Sequence, residues 1–266
     1  MIASPRLHAF RNALRVAVAL CIGVTSASAA VPSAEKIADA VAETNRLSGR
    51  SAPVLLEVTL RIGDGEPVAT GLLASHPTGL ARLELRSRHG FVERHLLQGN
   101  SYTASHDGQL LNPPHPFLPP IFFLQAESGA AFRAALASYG VASGEVVLGR
   151  VGVRDCYVFG GRLPRGAAGE ERMLPSVWVD METYQIAQID RPGGVRFRFG
   201  PTTVFEGIQA PSWIDVVAPG QPDARLDVVR VAPANAPAAA FGMDWLTAPL
   251  PIPERPSQTP GAVSNP

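Results

Sequence analysis

Between Pro53 and Leu111 apolar and polar residues alternate one by one, and turn residues recur at intervals too short for anything but hairpins. Leu56, Val58, Leu60 and Ile62 alternate with Glu57, Thr59 and Arg61; Ala81, Leu83 and Leu85 alternate with Arg82, Glu84 and Arg86. Successive side chains of an extended strand point to opposite faces, so this period marks strands with one wet face. Gly63-Asp64-Gly65, Pro77-Thr78-Gly79, His89-Gly90, Gly99-Asn100 and Asp107-Gly108 punctuate the run and leave room for hairpin connections only. An antiparallel meander is expected. A parallel nucleotide-binding sheet is excluded there, because parallel strands need long crossover segments and none intervenes.

A helix is expected before the meander. Ser33 is a plausible N-cap, Glu35 falls in the first turn, and Ala34, Ile37, Ala38 and Val41 recur at helical spacing. The strand pattern breaks between Asn112 and Gly140. Pro113-Pro114-His115-Pro116-Phe117-Leu118-Pro119-Pro120 is stiff and turn-rich, and Ile121-Phe122-Phe123-Leu124 follows as an apolar knot. A second helix is expected from about Ser128 to Tyr139, with Phe132, Leu136 and Tyr139 on one face and Gly140 as its stop. Extended segments resume at Val146 to Arg150, Asp155 to Phe159, Ser176 to Met181, Tyr184 to Ile189 and Val195 to Phe199. Weaker strand patterns cover Trp213 to Val217 and Leu226 to Val231.

The expected fold class is α+β: one long antiparallel sheet, too many-stranded to stay flat, curled into an unclosed β-barrel. Its concave apolar face needs filling, and the two helices with the Pro/Phe segment are what the chain offers to cap it. If they fill it loosely the interior is an apolar pocket, and if tightly it is a core.

Residues 1–29 read as an export signal. Arg6, Arg11 and Arg15 form a positive n-region, an apolar stretch runs from Val16 to Val24, and Ala27-Ser28-Ala29 supplies small residues where a signal peptidase cuts. An uncleaved anchor is the alternative, although the apolar run is short for a span. Leu20 before Cys21 is wrong for a lipobox. Residues 30–246 then form a single domain, and 247–266 a Pro-rich tail expected to be disordered.

With 23 basic and 23 acidic residues, the chain lacks the basic footprint that nucleic-acid binding requires. Removing the signal takes Cys21 with it, so Cys156 has no partner for an internal disulfide and the fold must stand on its hydrophobic core. Cys156, between Asp155 and Tyr157 in a strand pattern, reads as a small buried apolar residue.

Enzyme motifs are missing: the sequence holds no G-x-S-x-G elbow, H-E-x-x-H helix, P-loop or strand-following G-x-G-x-x-G. His89, His95, His106 and His115 match no standard zinc spacing, and His89 and His106 fall in expected turns. Asp107 is accounted for by its turn with Gly108. Asp180 and Glu182 flank a strand end and are expected to face solvent rather than to form a catalytic pair. No metal, cofactor or catalytic residue is expected.

The order of elements, with the hairpin Ser176-Val177-Trp178-Val179-Asp180-Met181-Glu182-Thr183-Tyr184-Gln185-Ile186-Ala187-Gln188-Ile189-Asp190, resembles the LolA/LolB superfamily of periplasmic lipoprotein carriers. The hairpin is similar to that superfamily's aromatic-Val-Asp strand end and return strand. The resemblance covers roughly residues 31–231 by element order and this hairpin by residue type. It implies a half-barrel whose helix-capped concavity holds acyl chains of a lipoprotein or lipid in the periplasm, with transient contacts to membrane-bound donor or acceptor proteins. Candidate lining residues are Phe117, Leu118, Ile121, Phe122 and Phe123, with Ile37 and Val41 from the first helix. The same side chains would equally serve an ordinary packed core. A second function class is a sensor or assembly subunit that binds a protein partner with its interior filled, and an enzyme stands third.

Overall fold

The structure, a computed structural model, describes residues 31–45, 47, 52–161 and 175–248. The export signal, including Cys21, and residues 249–266 of the tail lie outside the described residues.

The strands are β1 (Val54–Ile62), β2 (Ala69–His76), β3 (Leu80–Ser87), β4 (Val92–Gln98), β5 (Ser101–His106), β6 (Gln109–Leu110), β7 (Val146–Val151) and β8 (Arg154–Gly160). They continue as β9 (Ser176–Asp180), β10 (Ile186–Asp190), β11 (Arg196–Phe199), β12 (Thr202–Phe205), β13 (Ile208–Pro211), β14 (Trp213–Val217) and β15 (Ala224–Pro233). The helices are α1 (Ala34–Thr44), α2 (Gly129–Tyr139) and α3 (Met243–Thr247), with single 3-10 turns at Ile121–Gln125 and Ala238–Phe241.

Thirteen strands make one antiparallel sheet in the order β6-β5-β4-β3-β2-β1-β15-β14-β11-β10-β9-β8-β7. Neighbours in the sheet are neighbours in sequence except twice. β1 pairs with β15, from Val54↔Pro233 to Ile62↔Ala224. β11 pairs with β14, and the β12–β13 hairpin, which the sequence pattern did not lead us to expect, is looped out between them. The fold is α+β, and its sheet is unclosed, with β6 and β7 as the two edges. Register shifts between Glu57 and Val58 and between Ile186 and Gln188 insert an extra residue on one side of the ladder. Such bulges bend and twist a sheet, as a curled one requires.

The helices begin and end where their caps stand. The Ser33 hydroxyl accepts from the Lys36 N–H, and the Ser128 hydroxyl from the Ala131 N–H. Gly140 stops α2 in the left-handed region at φ 84°. α1 and α2 pack together on the concave face, and a side chain at Gly129 would collide with Asp39 where they cross. One continuous core results, joining both helices to the inward residues of nearly every strand.

The outer face is covered differently in its two halves. After β15 the chain turns back, and residues 234–248 run as a strap across β2 to β5. Ala236, Phe241 and Leu246 bury themselves against Ala74 and Leu96 there. Arg82 donates to the Ala240 carbonyl at 2.6 Å, and its guanidinium stands 5.0 Å from the Trp245 ring centroid. Arg94 donates to the Trp245 and Ala248 carbonyls at 3.1 and 2.7 Å and to Glu84 at 3.0 Å. Thr247, where the sequence places the start of the tail, is the last residue of α3. Over the other half the outer face is a polar lattice. Trp178 Nε1 donates to Ser176 and Asp190, which Gln188 and Arg196 also reach. Asp180 does not face solvent as expected. It is buried, and its carboxylate accepts from the Glu182 and Thr183 N–H groups and the Thr183 hydroxyl, so it caps the turn between β9 and β10.

The two outer-face arginine arrangements are expected to differ in worth. Arg94→Ala leaves two strap carbonyls without their donor and the Glu84 carboxylate with Arg86 alone, and should cost about 2–3 kcal/mol in urea denaturation. Arg61→Ala breaks only an exposed pair with Asp227 and should cost less than about 1 kcal/mol.

Candidate ligand-binding interior

The concave face is roofed by residues 113–125 and α2. Ile37, Val41, Leu118, Ile121, Phe122 and Phe123 are each at most 1% exposed and belong to one cluster. Phe117, the seventh residue singled out in the sequence, is half-buried at its rim. The structure therefore brings all seven together: five are on the roof itself, and Ile37 and Val41 are on α1 in the same cluster. Aromatic rings that the sequence analysis did not place in the lining complete the packing. Phe123 meets Phe132 and Tyr139 edge-on at 6.0 and 5.4 Å, and Phe132 meets Phe159 at 5.6 Å. Phe132 and Tyr139 lie seven residues apart on α2 and so share its buried face, a spacing that could have nominated them.

These side chains fill the concavity. A small space of about 30 Å³ lies at the end of α1, lined by Asn45, Leu47, Leu124, Ile186, Phe199 and Ala210 among others. That is room for about one water. The hydrogen bonds that fasten the roof to strands come from side chains. Gln125 bonds to Ser75 at its far end, and Tyr102 bonds to residues 115 and 118 at its near end. Beside the end of α2, an apolar groove of about 280 Å³ runs along Gly140, Ala142, Val147, Gly160 and Pro175. The larger concavity at the β1–β2 and β14–β15 turns, about 530 Å³, is lined by Asp64, Asp223 and the paired Arg61, Asp215, Arg225 and Asp227. It is unsuited to an apolar ligand.

A polar cluster stands at the near end of the roof. The Tyr102 hydroxyl donates to the His115 carbonyl at 2.6 Å, accepts from the Leu118 N–H at 3.3 Å and lies 2.9 Å from His95 Nδ1. Glu93 Oε1 is 2.9 Å from His115 Nδ1 and 3.2 Å from His95 Nε2. The Phe117 ring stands between the two imidazoles, and the Arg191 guanidinium lies 4.4 Å from the Tyr102 ring centroid. Burial holds the His95 imidazole below its ordinary value against the pull of Glu93. Burial alone would raise the Glu93 carboxyl, but the imidazoles of His95 and His115 outweigh it and hold it low. Burial raises the Tyr102 phenol, so it stays protonated.

His89 and His106 are not part of this cluster. His89 lies in a turn as expected, whereas His106 is the last residue of β5 and stacks on Phe91. No group of three or more metal-ligating side chains is poised for an ion among the described residues. Cys156 is buried, as its strand position suggested, and burial together with the charge of Asp180 raises its thiol above the ordinary value. Glu93 and Tyr102 escaped the sequence analysis. The signal was present in the 93-95-97 alternation, which puts a Glu and a His on the same buried strand face as Leu97.

No family model and no curated protein matches the chain. Among solved structures it is similar to a LolA superfamily protein from Nitrosomonas europaea, at 12% identity and TM-score 0.48 over 81% of this chain and 100% of that one. A DUF1329 family protein from Desulfovibrio piger matches at 13% identity and TM-score 0.45, again over 81% and 100%. A putative outer membrane lipoprotein-sorting protein domain from Vibrio parahaemolyticus matches at 9% identity and TM-score 0.47, over 80% and 99%.

Two outcomes follow from the interior. The Tyr139 hydroxyl is buried without a hydrogen-bond partner, so Tyr139→Phe should leave the fold intact and raise its stability by about 1 kcal/mol in a thermal or urea melt. Cys156 should react with an aromatic disulfide reagent only as fast as the protein unfolds, and at full rate in denaturant.

Proposed function

We propose that the protein is a periplasmic binding protein, not an enzyme, which takes acyl chains of a lipoprotein or lipid beneath the 113–125 roof and carries them towards the outer membrane. The observation that supports this reading best is the construction of the concave face. A long apolar trough is covered by a short segment that is fastened to the strands by side chains at its two ends and joins no strand ladder. Displacing such a roof exposes a surface matched in chemistry to a hydrocarbon chain. Each methylene transferred from water is worth about 0.8 kcal/mol, so a chain of ordinary length could replace the roof's own contacts without polar recognition. Phe117, Leu118, Ile121, Phe122, Phe123, Ile37 and Val41 are the proposed lining. Donor and acceptor proteins in the two membranes would be transient partners.

A second reading has an observation of its own. The trough is filled by side chains that are at most 1% exposed, which suits a sensor or assembly subunit that uses this fold to meet a protein partner.

Native mass spectrometry with organic extraction, on protein purified from the periplasm without detergent, separates the two. Co-purifying acylated material is expected, and it should fall at least about tenfold in a folded Phe122→Asp, Phe123→Asp variant, because two buried carboxylates oppose an apolar ligand. A ligand-free mass, together with no uptake of a fluorescent fatty acid, would overturn the carrier reading in favour of the protein-binding one.

A further inference from the structure

We propose that the outer face carries a docking site for the chain's own residues 249–255, which continue the strap back across the sheet to the seam between β1 and β15.

The site is a hollow of about 320 Å³ in the middle of the outer face, lined by Leu72, Val229, Thr59 and Thr70 and by the charged Glu57, Glu84 and Arg86. Leu72 is 48% and Val229 58% exposed. Val229 is the extra residue of the register shift that pairs Glu57 with Arg230 and Val58 with Val228. A bulge re-aims a side chain, and this one leaves a valine in the open where the two halves of the sheet meet. Apolar surface bordered by charges suits an occupant that carries apolar side chains followed by a charge.

The strap ends on a path to this hollow. Arg94, Glu84, Leu72, Glu57 and Arg230 are successive cross-strand partners on β4, β3, β2, β1 and β15, so they form one row on the outer face. Ala248 stands over the first of them, its carbonyl 2.7 Å from Arg94 Nη1. At about 4.8 Å per strand, Leu72 lies about 10 Å along the row and Arg230 about 19 Å. In the other direction the row passes Ser105 and ends at Leu110 on β6, after about 10 Å.

The residues that follow are Pro249-Leu250-Pro251-Ile252-Pro253-Glu254-Arg255. Alternate prolines fix φ and remove N–H groups, which suits a polyproline II strand advancing about 3.1 Å per residue. Ala248 already has matching dihedrals, φ −55° and ψ 138°. Counted from it, Leu250 and Ile252 fall at about 6 and 12 Å, on either side of Leu72, and Arg255 at about 22 Å, beside Arg230. Seven residues thus match the row towards β15 and overrun the one towards β6. The charges agree. Arg230 is shared between Glu57 and Glu206 at 3.4 and 3.3 Å, with all three side chains open to solvent. Two carboxylates on one cation favour a second, which Arg255 supplies. Prolines also lower the entropy lost on docking. The inference does not rest on acyl binding, because the hollow is on the face opposite the trough.

The test places a nitroxide on Ser257→Cys in the otherwise unaltered chain and reads relaxation enhancement of methyl protons by NMR; Cys156, being buried, stays unlabelled. Enhancement is expected to be strongest at Val229, weaker at Leu72 and absent at Leu110, which is 57% exposed. At Val229 it should fall at least about tenfold in Leu250→Ser, Ile252→Ser, because the apolar contacts that hold the segment are gone. Equal enhancement of Leu72 and Leu110, on the two sides of Arg94, would mean a tethered but undocked segment and would overturn the proposal, leaving the hollow to a protein partner. So would enhancement concentrated at Leu110, or enhancement at Val229 that the double substitution leaves unaltered.

Discussion

The antiparallel pairing of β1 with β15 is the contact on which the rest of the architecture depends. Without it the chain would be two meanders, each with an unpaired edge and an apolar face too large to leave in water. With it, Leu56, Val58 and Leu60 align beside Val231, Val228 and Leu226, and the inward rows of both halves become one surface. The pairing joins strands that are nearly the whole domain apart in sequence. Its closure entropy must therefore be met by the core it completes. It also decides where the sheet is open. Because the ends of the described domain meet in mid-sheet, the edges fall at β6 and β7, on either side of the mid-chain insertion. The segment that roofs the trough thus leaves from one edge and returns to the other.

A sheet this long has two faces to cover, and the protein uses three means. The inner face is filled by α1, α2 and the 113–125 segment, with rings stacked edge to face. Half of the outer face is sealed by the strap, whose backbone carbonyls are received by Arg82, Arg94, Gln98 and Ser105. In the other half the polar groups are satisfied by side chains of the sheet's own strands, among them the bidentate Arg225–Asp215 pair and the Trp178–Asp190 bond. The strap and the sheet are locked together by polar groups buried between them, whereas the roof is held by its buried apolar side chains, with hydrogen bonds to strands at its two ends.

Local patterns were legible where a single rule governs them. Ser33, Ser128 and Gly140 marked helix ends through backbone groups that only a cap can satisfy, and alternation located most of the strands of the large sheet. Patterns failed where a residue answers to a distant partner. Arg94 and Leu96 sit on a face that alternation assigns to solvent, and they are buried because a segment some 150 residues later lies over them. The β12–β13 hairpin escaped because Thr202 to Phe205 is nearly all exposed and has no apolar face to announce it. Asp180 looked like a surface carboxylate because a turn-capping role depends on where the Glu182 and Thr183 N–H groups point.

The candidate interior divides in the same way. Phe117, Leu118, Ile121, Phe122, Phe123, Ile37 and Val41 could be nominated from composition and spacing, since apolar runs flanked by proline and one helical stripe must be buried somewhere. The amino-acid sequence by itself determined the elements, their order and their apolar faces, because these follow from backbone geometry and hydrophobic periodicity within ten or so residues. Only the tertiary structure decided that the trough is filled, that Glu93, His95, Tyr102 and His115 form one cluster, and that the outer face carries a strap. Those outcomes depend on packing and on hydrogen-bond direction between segments far apart in the chain. They take effect only after burial has removed the water that would otherwise satisfy each group separately.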